Sequence, residues 1–239
     1  MSVTDIPFNW NAQLDIRKLR VGCIKDSFDT LTNATAKANA DQALATLKSL
    51  GIKDLIEVNV PEFESSVSAI SVEAGAFFDE AARGGRMKGA RGSFGRSSNR
   101  LLPAVDYIQA QRVRMMMMTK LEEATRHVDV YLVASNSSGA PAPPRPAGAD
   151  AAPARPPQDN RPQSPTQRHF GMANLAGYPA MNVPNGFGET GSPTNFVVYA
   201  QPFRELEIIA LVKAYQDAAG FHLMKPTKMD QVTTTQAQQ

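Results

Sequence analysis

The stretch from Leu19 to Pro61 constrains this chain more than any other. LRVGCIKD (19–26) alternates apolar and polar residues, as a half-buried strand does, and then ends in charge and SFD, which reads as a loop. Ala36, Ala40, Leu44, Leu47 and Leu50 repeat at helical spacing until Gly51 stops them. LIEVNVP (55–61) is a second strand, closed by Pro61. A strand, a helix of ~15 residues and another strand form a βαβ unit, which favours parallel strands. The fold class that follows is α/β.

The remaining pattern extends that reading. SSVSAISVEAGAFFDEAAR (65–83) suits a helix, with Ser65 or Ser66 as N-cap and Gly84-Gly85 as its stop. A longer helix starts near Pro103 and gives way to a third strand, VDVYLVAS (128–135). Nine of the 17 prolines fall in residues 139–168, where no apolar periodicity survives. Such a segment cannot offset its own ordering entropy, so a disordered Pro/Ala-rich insert is expected there. Beyond it, LAGYPAMNVP surrounds a short buried strand, PNGF reads as a turn, and NFVVYAQ (195–201) is a fourth strand. Phe203 to Ala219 reads as an amphipathic helix with Phe203, Leu206, Ile209, Val212 and Tyr215 on one face. The expected organisation is one domain in two parts, 1–138 and 169–226, with the insert at 139–168 between them and a polar tail at 227–239.

Composition excludes several functions. Lys and Arg total 25 against 23 acids, a net charge of +2, too small for a dedicated nucleic-acid binder. The lone Cys23 excludes a disulfide framework within the chain and a multi-cysteine zinc site. No apolar run approaches the ~20 residues that cross a bilayer, and MSVTDIPFNW lacks the basic start of a secretory signal. A cytoplasmic location is the expectation.

Few residues are arranged for chemistry. His127, His169 and His222 stand far apart without an HExxH or H-x-H pair, which points to surface or capping positions and away from a metal. There is no GxSxG elbow, no P-loop and no GxGxxG after a strand. The acid-free run from Arg83 to Arg100 reads as a mobile surface loop or as a grip for single-stranded nucleic acid. Met115–Met118 point all round a helix, so they cannot converge on one ion and read as core filling. Cys23 sits inside a strand and reads as a small buried hydrophobe. No metal or other cofactor is expected.

Several phrases in order then resemble the second half of amidase-signature enzymes. They are PFNW, RVGCIKDSFD, LATLKSLG, EAGAFFDE, PAVDYIQAQRVRMMM, NLAGYPAMNVPNGF and VVYAQPFRELEIIALVKAYQDAAGFHLMKP. They cover residues 5–138 and 169–226, and the wider family includes a subunit of the glutamyl-tRNA amidotransferase. The resemblance implies part of a mixed β-sheet with flanking helices. It also implies cleavage of carboxamide C–N bonds by acyl transfer, through a serine, a second serine in a cis peptide and a lysine whose lowered pKa lets it take a proton. A Gly-Gly-Ser-Ser-Gly-Gly type loop would supply the oxyanion donors. That loop and the lysine belong to the family's first half and match nothing here, so no catalytic residue is carried over.

What the resemblance assigns to this chain is a set of substrate-pocket candidates. Asn174, Gly177 and Tyr178, with Pro179, match a segment that runs close to the acyl pocket. Asp106 and Tyr107 match a helix start that faces it. A packing reading stands beside this one, with Gly177 allowing close approach and Pro179 beginning a strand. The resemblance implies a C-terminal amidase portion partnered by a chain carrying the first half, or by itself, and acting on a small amide only when complemented. The alternative is a non-catalytic scaffold or binding protein that retains part of the fold. Nucleic acid and membrane are not expected partners.

Overall fold

The computed structural model describes residues 7–8, 11, 13–52, 54–63, 69–86, 101–135 and 165–225. The βαβ unit is present: β1 (Val21–Cys23) and β2 (Ile56–Glu57) pair in parallel, Gly22 opposite Ile56, with α2 (Ala34–Ser49) between them. Asn33 starts α2 two residues before the periodicity does, because its side chain accepts the Ala36 N–H at 2.8 Å. The residues after β1 are not loop but a short helix, α1 (Lys25–Asp29). Its Ser27 Oγ donates to the Ile24 carbonyl and accepts the Ala134 N–H at 2.9 Å, tying α1 to the end of a later strand.

The single helix expected over 65–83 is two, α3 (Ala69–Phe77) and α4 (Asp79–Arg83). The break at Phe78 lets its ring meet Phe77 edge-on, and Asp79 and Glu80 then favour a fresh N-terminus. Pro103 caps α5 (Ala104–Thr125), and β3 (Val130–Ala134) follows. The expected insert reaches into a helix. Residues 139–164 of the expected insert lie outside the described residues, but Pro165–Arg168 form the first turn of α6 (Pro165–Ala176), where proline's missing N–H costs nothing. The tail from 226 onward and the basic stretch 87–100 also lie outside. At the near edge of that stretch, Arg83 and Arg86 pair with Asp79 and Glu80.

PNGF is not a turn. It lies inside β4 (Ala180–Phe187), with a bulge between Pro184 and Gly186. Gly186 has φ +148°, and Asn39 of α2 fills the space a Cβ would need while donating to the Phe187 carbonyl and Thr194. The hairpin to β5 (Pro193–Tyr199) turns instead at Gly188–Ser192. In α7 (Glu205–Ala219) the buried residues are Ile208, Leu211, Val212 and Tyr215, so the core stripe is rotated from the expected one and Phe203 is exposed before the helix begins.

The sheet order is β2-β1-β3-β5-β4, parallel across β2-β1-β3 and antiparallel across β3-β5-β4. One face, with Val21, Val130, Leu132, Phe196 and Val198, packs under α2 and α7 through Leu47, Leu211 and Tyr215. The other face, with Tyr131, Val133 and Tyr199, meets Ala173 of α6. Behind α6 lies α5, whose Met117 and Leu121 pack on Met172 and Ala176. Met115 and Met116 point outward, so only part of the methionine run fills core. At the start of β3, Asp129 accepts from Arg20 and Arg204, joining β1, β3 and the approach to α7. Burial pushes its carboxyl up, but the Arg20 side chain, the Arg20 N–H and Arg204 outweigh that and bring it down to about 2.

Candidate active site

A cleft of ≈ 550 Å³ opens where α6 leaves part of the sheet uncovered. Its size lies within the range of ligand sites, roughly 300–1,000 Å³. The floor comes from one face of three strands: Val133 of β3, Asn195, Val197 and Tyr199 of β5, and Asn182 of β4, with Ala134, whose side chain belongs to the opposite face, at the edge. Pairing of Asn182 with Val197 and of Pro184 with Asn195 makes the two asparagines diagonal neighbours. Thr166, Gln167, His169 and Phe170 of α6 form the wall, and Ser135 closes the end of β3. None of these side chains is an acid, a lysine or an arginine.

His169 anchors the wall. It is 1% exposed, its Nε2 lies 2.8 Å from the Tyr131 hydroxyl, and its ring meets Tyr131 and Tyr199 edge-on. Burial lowers its pKa to about 4, so the imidazole is neutral at pH 7. Burial also holds the Tyr131 and Tyr199 phenols above their ordinary range, so both stay protonated. The expectation of a surface or capping histidine fails for His169, because Tyr131 and Tyr199 from two strands close over it. His127 and His222 are exposed as expected. The cleft therefore offers neutral donors and acceptors over an apolar floor. It can bind and orient a ligand, and the hydroxyls of Ser135 and Thr166 have no lysine beside them in its lining to activate them.

The five pocket candidates lie elsewhere and do not converge. Asn174 and Gly177 are exposed at the C-terminal end of α6. No atom lies within 4 Å of a Cβ built on Gly177, so its role is the left-handed φ of +71° that lets Tyr178 N–H return to the Ala173 carbonyl, not close approach. The Tyr178 hydroxyl lies 3.0 Å from Thr125 Oγ1, at the C-terminal end of α5. Asp106 is exposed at the other end of that helix. Tyr107 donates to Glu73 Oε1, which also accepts from Gln111 and Arg114. Eighteen residues of helix, about 27 Å, separate Tyr107 from Thr125.

Sequence reasoning missed His169, Asn182, Asn195 and Tyr199. The available signal was the presence of Asn182 and Asn195 in strands, where Asn is disfavoured, although Asn185 of β4 carries the same signal and is buried against Thr194 instead. Cys23 is half-buried on the α2 face, and burial with the Glu57 carboxylate raises its thiol, which suits a packing role. Among the described residues no cluster of three or more His, Cys, Asp or Glu could hold a metal, and no helix is long and apolar enough to cross a membrane.

A mixed sheet, helices on both faces and a cleft along three strands, lined by uncharged side chains among the described residues, define an α/β protein. Residues 2–209 match the amidase family, described as Amidase, and the chain belongs to that family. It is 25% identical over 246 residues to a subunit of the glutamyl-tRNA(Gln) amidotransferase of Thermodesulfovibrio yellowstonii, covering 89% of this chain and 47% of that protein. It is 26% identical over 223 residues to a fatty acid amide hydrolase of Medicago truncatula, covering 88% of this chain and 35% of that protein. A solved 6-aminohexanoate cyclic dimer hydrolase with bound substrate has the same fold, with TM-score 0.61 and 17% identity over 90% of this chain and 49% of that one. The chain thus spans about half the length, or less, of the relatives it matches.

Proposed function

We propose that this chain is the C-terminal half of an amidase module that hydrolyses carboxamides, with the Ser-cisSer-Lys residues supplied by the family's first half, joined to it or separate. The observation that carries this reading is a cleft, uncharged among the described residues, in a chain of the amidase family. The cleft can seat an acyl group but brings no activated nucleophile of its own. In the complete module the first-half serine Oγ attacks the carbonyl carbon while the lysine side takes its proton. The C–N bond then breaks, the amine or ammonia leaves with a proton, and water splits the acyl-enzyme to the carboxylic acid.

The outer face of α5 supports a partner. Val105, Ile108, Met115 and Met116 lie within about 100° of one another on the helix, opposite the buried Met117 and Leu121. All four are more than half exposed, between 54% and 66%. These four exposed apolar side chains surround Arg112 on that face, and the relatives are longer by a half that could cover it. The test is co-expression with a first-half segment of a related amidase. The chain alone should release no ammonia from a small aromatic amide and take no fluorophosphonate label. The complex should do both, labelled on the first-half serine. A labelled serine in this chain, or a stable complex without activity, would overturn the proposal, the latter in favour of a scaffold that keeps part of the fold.

A further inference from the structure

We infer that Met115 and Met116 form an oxidation site: a hydroperoxide converts both to sulfoxides ahead of the core methionines, and the oxidised face of α5 no longer docks the first half. The docking part deepens the proposed partnership and rests on it. The selective oxidation stands on this chain alone.

Met115–Met118 follow one another on α5, and the helix turns them into different surroundings. Met117 is 1% exposed and packs with Leu121 and with Met172, itself 5% exposed. Met118 is half-buried against the same cluster. Met115 and Met116 are 64% and 60% exposed. Ile108 lies two turns before Met115 on the same outer arc, and Val105 lies three turns before Met116. Of these four apolar side chains only the two thioethers react with a hydroperoxide, so oxidation changes this face and leaves the hydrocarbon beside it untouched.

The chemistry needs no other protein group. The thioether sulfur attacks one oxygen of the hydroperoxide, an S–O bond forms and the O–O bond breaks. Sulfur is oxidised by two electrons to the sulfoxide. The peroxide is reduced, and the proton of the transferred oxygen leaves with the other as water or an alcohol. Reagent must reach sulfur, so the two exposed methionines react first. A sulfoxide is polar and a good hydrogen-bond acceptor. Covering it with an apolar partner strips its water and supplies no donor. Two sulfoxides therefore oppose docking where two thioethers favour it. By linkage, the docked partner also shields both sulfurs.

The test treats the full chain with graded hydrogen peroxide at pH 7.5 and maps the products by mass spectrometry. One tryptic fragment, Met115 to Lys120, carries all four consecutive methionines. Met115 and Met116 should convert at least about tenfold faster than Met117 and Met172. The Kd for a first-half segment of a related amidase should then rise at least about tenfold and recover on treatment with methionine sulfoxide reductases. A chain carrying Met115→Leu and Met116→Leu keeps the apolar face without the sulfur. It should dock as the wild type does and ignore peroxide, although Met224, 56% exposed beyond α7, still oxidises. Equal conversion of core and exposed methionines overturns the inference. So does an oxidised chain that docks undiminished, or a variant whose docking falls as far as that of the wild type. Absence of any complex before oxidation refutes the partnership and the docking part together. A peroxide-sensitive complex without amidase activity refutes the amidase reading alone, and an active complex indifferent to peroxide refutes this inference alone.

Discussion

Protonation of His169 should destabilise the fold in a defined pH window. The ring is buried between Tyr131 and Tyr199, and burial lowers its pKa from 6.5 to about 4. In the unfolded chain the same imidazole titrates near 6.5, so between these values the unfolded state binds more protons than the folded one. Stability therefore rises with pH through that window, is complete above about pH 7, and falls as the solution is acidified. At pH 5 the unfolded histidine is almost fully protonated and the folded one mostly is not. The resulting loss is about 2 kcal/mol, and it approaches about 3 kcal/mol by pH 4.

The measurement is urea unfolding of the wild type and of His169→Gln at pH 8 and pH 5. Glutamine keeps a partner within reach of the Tyr131 hydroxyl but has no proton to gain. His127, His222 and the carboxylates are common to both proteins and cancel in the comparison. The variant loses some stability at pH 8, because the ring contacts go. Its further loss between pH 8 and pH 5 should be smaller than that of the wild type by about 2 kcal/mol, equivalent to roughly 4–8 °C in Tm for a chain of this size. Equal pH slopes in the two proteins would refute the reasoning and place a charged or solvated imidazole in the fold.

Two further substitutions test how the elements are tied together. Asp129→Asn keeps the shape but leaves Arg20 and Arg204 without their carboxylate, and should cost about 2 kcal/mol at pH 7. Since the carboxyl is depressed to about 2 from 3.8, that difference should persist above about pH 4 and shrink as pH falls toward 2, read by denaturation at pH 7 and pH 3. A difference that does not shrink would mean that packing, not charge, is lost. Gly186→Ala should cost about 2–3 kcal/mol, since a Cβ there would sit 2.7 Å from Asn39 with φ at +148°. Gly177→Ala has open space and should cost only about 1 kcal/mol, so equal costs would remove the role given to Asn39.

The βαβ unit was legible because its periodicities are local. Ala40 and Leu47 face the sheet for the same reason that they recur at helical spacing. The rotated stripe of α7 was less so, since its exit from β5 through the turn at Gln201–Phe203 decides which residues meet the sheet. Leu206 and Ile209 fit the period as well as Leu211 and Ile208 do. PNGF misled because proline, asparagine and glycine mark a turn in isolation. Here the bulge is held by Asn39 from a helix far back in the sequence, a contact that no local window contains.

The cleft shows the same limit and a way past it. His169 is buried by Tyr131, 38 residues before it, and by Tyr199 after it, so nothing beside it in the sequence announces its environment. Asn182 and Asn195 are different. An asparagine in mid-strand gives up β-propensity and packs poorly against a helix, and unlike Asn185, which is buried and accepts from Thr194, these two line the cleft. If α6 covered the whole face, valine at both positions would give a better core, as it does at Val183 and Val198 on the opposite face. The two asparagines fall diagonally across the β4–β5 pair, on the face that α6 leaves open. Polar residues that recur on two strands and land on one patch give that patch its hydrogen-bonding groups. A single asparagine would be no more than a tolerated surface residue.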